Sequence, residues 1–202
     1  MNITWLGHSC FCLEEAGYRI VLDPFSQVPG LADTRTEAHK VLCSHDHFDH
    51  NHADGVTLLA DAPCPFAIRT VDVFHDDQGG ALRGENRIHI LSVGGVTAVH
   101  LGDLGHQLTA EQAAAIGRCD ALMVPIGGVY TVDPAGAKAV VEQLKPRIII
   151  PMHYKDGSRG LQELQPLSDF LALFTAPPVR RYGGPSMALT ADTPAQIAVL
   201  TL

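Results

Sequence analysis

One segment restricts this chain more than any other: Ser44-His45-Asp46-His47-Phe48-Asp49-His50, placed directly after the strand-like run Lys40-Val41-Leu42-Cys43. From His45 to His50 there are three histidines and two aspartates. Imidazole nitrogens and carboxylate oxygens are the ligands that suit zinc, and also manganese or iron. One ion needs three or four such groups on a common point. Alternate residues of an extended segment project the same way, so His45 and His47 can grip one ion together. Asp49 and His50 lie past the strand end, where a turn can swing them toward a second ion. Any fold that accepts this segment must therefore bring more ligands to the same strand end from distant parts of the chain. A surface loop that binds nothing, or a histidine tag, would lack this spacing and this apolar lead-in.

Three other places offer ligands, each at the end of an apolar run: His75 after Val71-Asp72-Val73-Phe74, Asp103 in Leu101-Gly102-Asp103, and His153 after Ile148-Ile149-Ile150-Pro151-Met152. Strand ends are where loops converge on a rigid sheet, so chemistry collects there. Glycines beside Asp103 allow close backbone approach. His8, in the turn Gly7-His8-Ser9, could line the site. Asp23, in Leu22-Asp23-Pro24, could orient a ligating histidine. His100 and His106 flank Asp103 and could support the site or meet the substrate, while His100 could instead point into the core. His39 and His89 read as ordinary surface or strand residues, and His52 as the exposed side of a helix start.

The rhythm of the chain predicts a layered α/β or α+β protein. Asn2–Leu6, Cys10–Glu14 and Tyr18–Leu22 read as a strand meander separated by Gly7 and Gly17. Residues 26–38 read as an irregular loop, and Val41–Ser44 as the strand feeding the ligand cluster. Further strands are expected at Thr57–Ala60, Ala67–Phe74, Arg87–Leu91, Val96–Leu101, Ala121–Val124 and Arg147–Ile150. Closing strands follow at Val179–Tyr182, Met187–Thr190 and Ile197–Leu202. Thr109-Ala110-Glu111-Gln112 is a capping box that opens a helix ended by Gly117. Asp133-Pro134 opens another that runs to Lys145, and Leu161–Phe174 is helical in part. A single domain over 1–202 is expected.

Composition narrows the function classes. The 202 residues carry a net charge of −8, and Arg180-Arg181 is a lone basic doublet. Such a chain has no general attraction for nucleic-acid phosphates. Cys10, Cys12, Cys43, Cys64 and Cys119 make an odd count without a Cys-x-x-Cys pair, which fits reduced thiols. The N-terminus enters a β pattern at once, so no export signal is expected. No apolar run approaches the ~20 residues of a membrane span. The expected location is the cytoplasm and the expected partner a small-molecule substrate. Oligomeric state is unreadable. No Gly-x-Ser-x-Gly elbow or serine triad is evident.

Together, Leu6-Gly7-His8-Ser9, Leu22-Asp23-Pro24, His45-x-His47-x-Asp49-His50, His75, Gly102-Asp103 and Pro151-Met152-His153 resemble the metallo-β-lactamase fold superfamily. The resemblance is to its small metal-dependent hydrolase branch, which includes ascorbate-phosphate lactonase-like and N-acyl phosphatidylethanolamine phospholipase D-like proteins. It implies an αββα sandwich, with two mixed β-sheets face to face, helices on the outer faces and a dinuclear site at the sheet edge. It implies that His45, His47 and His75 hold one ion, that Asp49, His50 and His153 hold the other, and that Asp103 bridges them. The chain departs from many members in lacking a Pro-Gly-His-Thr turn; His75 fills that place by order and spacing, with His100 or His106 as substitutes.

Two divalent ions, zinc foremost with manganese or iron as alternatives, can share a water and make it a hydroxide near neutral pH. The function implied is a metal-dependent hydrolase acting on a small ester, lactone or phosphodiester. Asp49 would ligate and also accept a proton as the intermediate collapses. His8 or Tyr130 could donate a hydrogen bond to the developing oxyanion. The alternatives are a phosphodiesterase or nuclease, a two-iron redox protein, and a non-catalytic metal-binding protein. Specificity is expected in the loops 24–38, 76–86, 127–133 and 155–161, where Tyr154-Lys155 could meet an anionic substrate.

Overall fold

The first strands of the chain build one sheet by local reversals. A computed structural model describes residues 1–202. In it β1 (Asn2–Gly7), β2 (Cys10–Glu15) and β3 (Tyr18–Leu22) form an antiparallel meander. β4 (Thr36–Ala38) and β5 (Lys40–Leu42) follow, and β5 adds parallel to β3. The irregular loop expected over 26–38 thus ends in a strand. Thr36-Glu37-Ala38 is too short to show an alternating pattern, and it is a strand only because β6 (Val56–Leu58) pairs with it in a two-stranded ribbon.

The second sheet starts with another antiparallel meander, β7 (Ala67–Phe74), β8 (Glu85–Val93) and β9 (Val96–His100). Crossovers then take over. After α1 (Ala110–Ile116) comes β10 (Ala121–Pro125), and after α2 (Pro134–Leu144) comes β11 (Ile148–Met152). The short α3 (Leu167–Leu171) leads to β12 (Val179–Arg181), β13 (Ser186–Ala188) and β14 (Gln196–Val199). The sheet order is β12-β14-β11-β10-β9-β8-β7, parallel from β9 through β12. β13 leaves this sheet and pairs with β1, giving the first sheet the order β13-β1-β2-β3-β5.

The helix limits have local causes. Thr109 Oγ1 accepts the Gln112 N–H and Gln112 Oε1 accepts the Thr109 N–H, closing the predicted capping box. The Asp133 carboxylate accepts the Gly136 N–H at 2.7 Å with Pro134 at the first helical position.

Alternation packs the two mixed sheets face to face. Ile3, Trp5, Phe11, Leu13, Ile20 and Leu22 point from the first sheet into a core shared with Ile88, Ile90, Val99, Leu122, Val124 and Ile149. Each such side chain contributes roughly 1.5–3 kcal/mol when fully buried. Cys10 and Val21, on the opposite face of β2 and β3, bury against Phe25, Val28, Ala38 and Val56. That outer layer comes from the 23–38 segment and the β4–β6 ribbon, whereas α1 and α2 pack against strands of the second sheet. The architecture is the expected α+β sandwich. All five cysteines are free. No helix is long and apolar enough to cross a membrane.

Candidate metal centre

The seven predicted ligands, together with His8 and Asp23, follow strands at the same edge of the sandwich. His8 follows β1, Asp23 follows β3 and the His45–His50 segment follows β5; His75 follows β7, Asp103 comes shortly after β9 and His153 follows β11. Three of these residues turn into the left-handed region although none is glycine: His8 (φ 49°), Asp23 (φ 45°) and His153 (φ 52°). Backbone in that region costs an L-residue about 1–2 kcal/mol, and such strain collects at functional sites. Trp5 Nε1–H donates to the His8 carbonyl at 2.9 Å and helps to hold that turn.

Asp103 is the centre of the arrangement. Its Oδ1 lies 3.2 Å from His50 Nε2, and its Oδ2 lies 3.3 Å from His75 Nε2 and 3.2 Å from His153 Nε2. His45, His47 and His75 form a second grouping, with ring centroids 4.5 Å apart for His45–His47 and 4.6 Å for His45–His75. Asp49, His50, His153 and His8 form a third, their donor atoms all within 4.8 Å of one another. The seven residues expected to ligate are therefore brought together.

The donor set fits divalent cations on an observation of its own. His45 Nε2, His50 Nε2, His153 Nε2 and Asp103 Oδ1 are buried without a hydrogen-bond partner. His50 Nε2 and Asp103 Oδ1 are 3.2 Å apart and yet do not bond to each other. Atoms placed like this face a common point between them, and leaving them unpaired would cost about 1–3 kcal/mol each.

Partners behind the cluster fix its tautomers. His50 Nδ1–H donates to Asp23 Oδ2 at 2.8 Å, which turns Nε2 to the centre. Ser44 Oγ–H donates to the same Asp23 oxygen at 2.6 Å and accepts from His45 Nδ1–H at 2.9 Å, which turns the His45 Nε2 inward as well. One buried carboxylate thus orients two imidazoles, as outer partners of metal ligands do. Asn86 Oδ1 accepts the Asp103 N–H at 3.0 Å while its Nδ2–H donates to the Leu101 carbonyl, bracing the turn that presents Asp103. Gly102, at φ 55°, is obligatory in that turn, because a Cβ there would lie 2.5 Å from the Ser44 Cβ.

Electrostatics keep the Asp103 and Asp49 carboxylates ionised and the His45 and His8 imidazoles neutral. Burial opposes charge on Asp103, but His153 and His50 against it hold its pKa well below the usual carboxylate range. The same contest leaves Asp49 low, through His8 and His50. Burial and the neighbouring His50 push His45 down to about 3; burial and His153 push His8 down to about 4. His50 shifts the other way: burial opposes its charge, but the Asp103 and Asp23 carboxylates favour the protonated form.

Several expectations meet different surroundings. His100 donates Nε2–H to the Ser9 carbonyl at 2.8 Å and accepts the Gly102 N–H at Nδ1. His106 donates Nδ1–H to the Gln107 carbonyl and accepts the Phe74 N–H. Neither has a nitrogen left to ligate, and His75 occupies the place for which they were substitutes. His8 and Tyr130 were the candidates to donate to an oxyanion. His8 Nε2–H instead faces Asp49 Oδ2 at 3.2 Å, and the Tyr130 hydroxyl donates to Glu163 at 2.6 Å. Lys155 does not reach the site, since its Nζ donates to the Gln162 carbonyl. Tyr154 is buried and stacks on Trp5. His89 is a strand residue of β8, buried, and its Nε2–H donates to the Cys43 carbonyl across the two sheets.

Residues that the sequence reading passed over are Ser44 as a relay, Asn86, Asp76, Arg83 and Glu163. Asp76 was legible in part as an Asp beside a Gly-rich stretch, which is a common loop anchor. A cleft of about 570 Å³ opens over the cluster, with His47, Asp49, His75 and Asp103 on its floor and Phe48, Arg83, Tyr130, Leu161 and Glu163 around it.

Fold and cluster define an α+β sandwich of two face-to-face sheets with a His/Asp cluster able to hold metal at its edge, and comparison with known proteins assigns its family. Residues 2–153 match the β-lactamase superfamily domain, and the chain belongs to this family. A UPF0173 metal-dependent hydrolase of Carboxydothermus hydrogenoformans is 30% identical over 195 residues, covering 76% of this chain and 84% of that protein. The crystal structure of a candidate Zn-dependent hydrolase of the metallo-β-lactamase superfamily from Thermotoga maritima is 35% identical, with a TM-score of 0.76 over 98% of this chain and 97% of that one. The isothiocyanate hydrolase from Delia radicum gut bacteria, at 14% identity and a TM-score of 0.65 over 95% of this chain and 100% of that one, shares the fold.

Proposed function

We propose that this metal-dependent hydrolase of the metallo-β-lactamase superfamily works through a dinuclear centre and cleaves a small ester, lactone or phosphodiester. His45, His47 and His75 would hold one divalent ion, Asp49, His50 and His153 the other, with Asp103 shared between them. The observation that carries this reading is Asp103 set 3.2–3.3 Å from three Nε2 atoms on three strand exits, amid buried donors that bond to nothing else. The ions would supply an activated water near neutral pH and polarise the substrate oxygen. Zinc suits this nitrogen-rich set best, with manganese or iron as alternatives.

The chain's own residues do the rest. Asp23 and Ser44 hold His50 and His45 in the tautomers that ligation needs. Asp49 faces the cleft and can accept a proton as the reaction proceeds. His8, neutral through burial, fixes the Asp49 carboxylate by its single N–H and has no proton left for an oxyanion. The Tyr130 hydroxyl likewise serves Glu163, so stabilising a developing oxyanion would fall mainly to the bound ions. A small-molecule substrate and a cytoplasmic setting complete the reading.

The test joins metal analysis to a substrate panel. Protein reconstituted with zinc or manganese should hold close to two equivalents, and it should turn over at least one of p-nitrophenyl acetate, a simple lactone and bis-p-nitrophenyl phosphate. His45→Ala should abolish that turnover while the circular dichroism spectrum stays native. Turnover of the phosphodiester alone would favour the phosphodiesterase or nuclease alternative. Full metal loading without turnover of any of them would favour a non-catalytic metal-binding protein.

A further inference from the structure

The wall of the cleft contains an arginine that the cluster chemistry does not use. The Arg83 guanidinium meets no carboxylate and makes no hydrogen bond; it lies over the Tyr130 ring, 5.6 Å from the centroid. The backbone that carries it is nevertheless held. The Asp76 carboxylate accepts four backbone N–H groups, from Gln78 and Gly80 at Oδ1 and from Leu82 and Arg83 at Oδ2, all at 2.7–2.9 Å. The His75 N–H closes the same loop on the Gly84 carbonyl at 3.0 Å. The loop that carries Arg83 is thus tied at its base to a residue on the cleft floor. Tyr130 is also held, by the 2.6 Å bond from its hydroxyl to Glu163.

The chemistry around Arg83 is mixed. Phe48, 53% exposed, and Leu161 give the cleft apolar surface. The two carboxylates of the wall are engaged elsewhere, Asp46 with Asn51 Nδ2–H at 2.7 Å and Glu163 with Tyr130. A guanidinium that is unpaired, carried on a tied loop, stacked over a held tyrosine ring and set beside apolar surface can receive a planar or tetrahedral oxyanion.

We propose that Arg83 is a specificity-determining residue, holding an anionic group on the substrate, a carboxylate or a phosphate, away from the bond that is cleaved, while the apolar body of the substrate lies on Phe48 and Leu161. This rests on the cleft being the substrate site of the hydrolase described above. The inferred substrate class is a small amphipathic anion with a hydrolysable ester or lactone bond.

The test separates this inference from the reading beneath it. In chelator-treated protein, binding of the apolar anion 8-anilinonaphthalene-1-sulfonate is compared with that of its uncharged relative N-phenyl-1-naphthylamine. Arg83→Gln should weaken the anion about tenfold, the size of a lost charge-assisted hydrogen bond, and shift the neutral dye less than twofold. Arg83→Lys should recover part of the loss. Displacement of the anionic dye by hexanoate points to a carboxylate and by hexyl phosphate to a phosphate; either supports the assignment. Equal weakening of both dyes by Arg83→Gln, no weakening of either, or displacement by hexanol as readily as by the two anions would overturn it. With metal-loaded protein, Arg83→Gln should lower the ratio of kcat/KM for mono-4-nitrophenyl glutarate to that for 4-nitrophenyl pentanoate by about tenfold. Failure of wild type to hydrolyse both esters counts against the ester branch of the function, while the dye pair still decides the role of Arg83.

Discussion

The floor of the cleft and its wall are built in opposite ways. On the floor, histidines and aspartates leave strand ends, most are buried, and Asp23, Ser44 and Asn86 hold them from behind. The wall is three loops, in which Arg83 lies over the Tyr130 ring and the Tyr130 hydroxyl bonds to Glu163. The difference separates two tasks. Ligand geometry depends on strand exits that tolerate little displacement, whereas selectivity depends on loops that can change without disturbing the core.

Substitutions on the two sides should differ in size and in kind. The largest effect is expected on the floor. Asp103→Ala should lower kcat/KM by more than about 10³-fold, beyond the 10–100-fold typical of residues that only support a ligand, and metal analysis should show the second equivalent lost. Steady-state kinetics beside circular dichroism decide this; near-wild-type turnover would place the chemistry elsewhere.

Gly102→Ala comes next. It forces a side chain into a positive-φ turn and toward the Ser44 Cβ, which should cost roughly 2–4 kcal/mol. Urea unfolding reads it directly, and an unchanged midpoint would show that the turn relaxes freely. Asp23→Asn should weaken metal affinity toward the upper end of ~10–100-fold, and Ser44→Ala toward the lower end, because Asp23 orients two histidines and Ser44 one. Competition with a chromophoric chelator would rank the two, and a reversed order would remove the relay from the account.

The smallest effect is expected in the wall. Burial opposes charge on Asp76, but the four N–H donors of its loop bring its pKa down to about 2 from the ordinary 3.8. A folded-state pKa below the unfolded one stabilises the protein above the unfolded value, and that contribution fades as the pH falls toward the folded one. The gap in urea midpoint between wild type and Asp76→Asn should therefore be present at about pH 5 and shrink toward pH 2. A gap that does not vary with pH would mean that the loop is not held by the ionised carboxylate.

The floor was more legible in the sequence than the wall, for a physical reason. His45, His47, Asp49 and His50 sit next to the apolar residues that set their strand, and His75, Asp103 and His153 each follow an apolar run, so local pattern marks them. The meanders and both capped helices were legible for the same reason, since turns and caps are encoded by residues close in sequence. Strand Thr36–Ala38 was not, because it exists only through its pairing with Val56–Leu58. Nor was the departure of Ser186–Ala188 to the first sheet, which depends on a partner at the other end of the chain. Arg83, Glu163 and the relay through Ser44 belong to this second class. A lone arginine in a glycine-rich loop gives no signal of its own, and only contact with Tyr130 and Asp76 gives it a role.

The dinuclear centre is the claim on which floor and wall both depend, and anomalous diffraction from crystals reconstituted with zinc or manganese tests it most directly. Two peaks about 3.5–4 Å apart are predicted, one among His45, His47 and His75, the other among Asp49, His50 and His153, with the Asp103 carboxylate between them. A single peak, or density away from Asp103, would contradict the account.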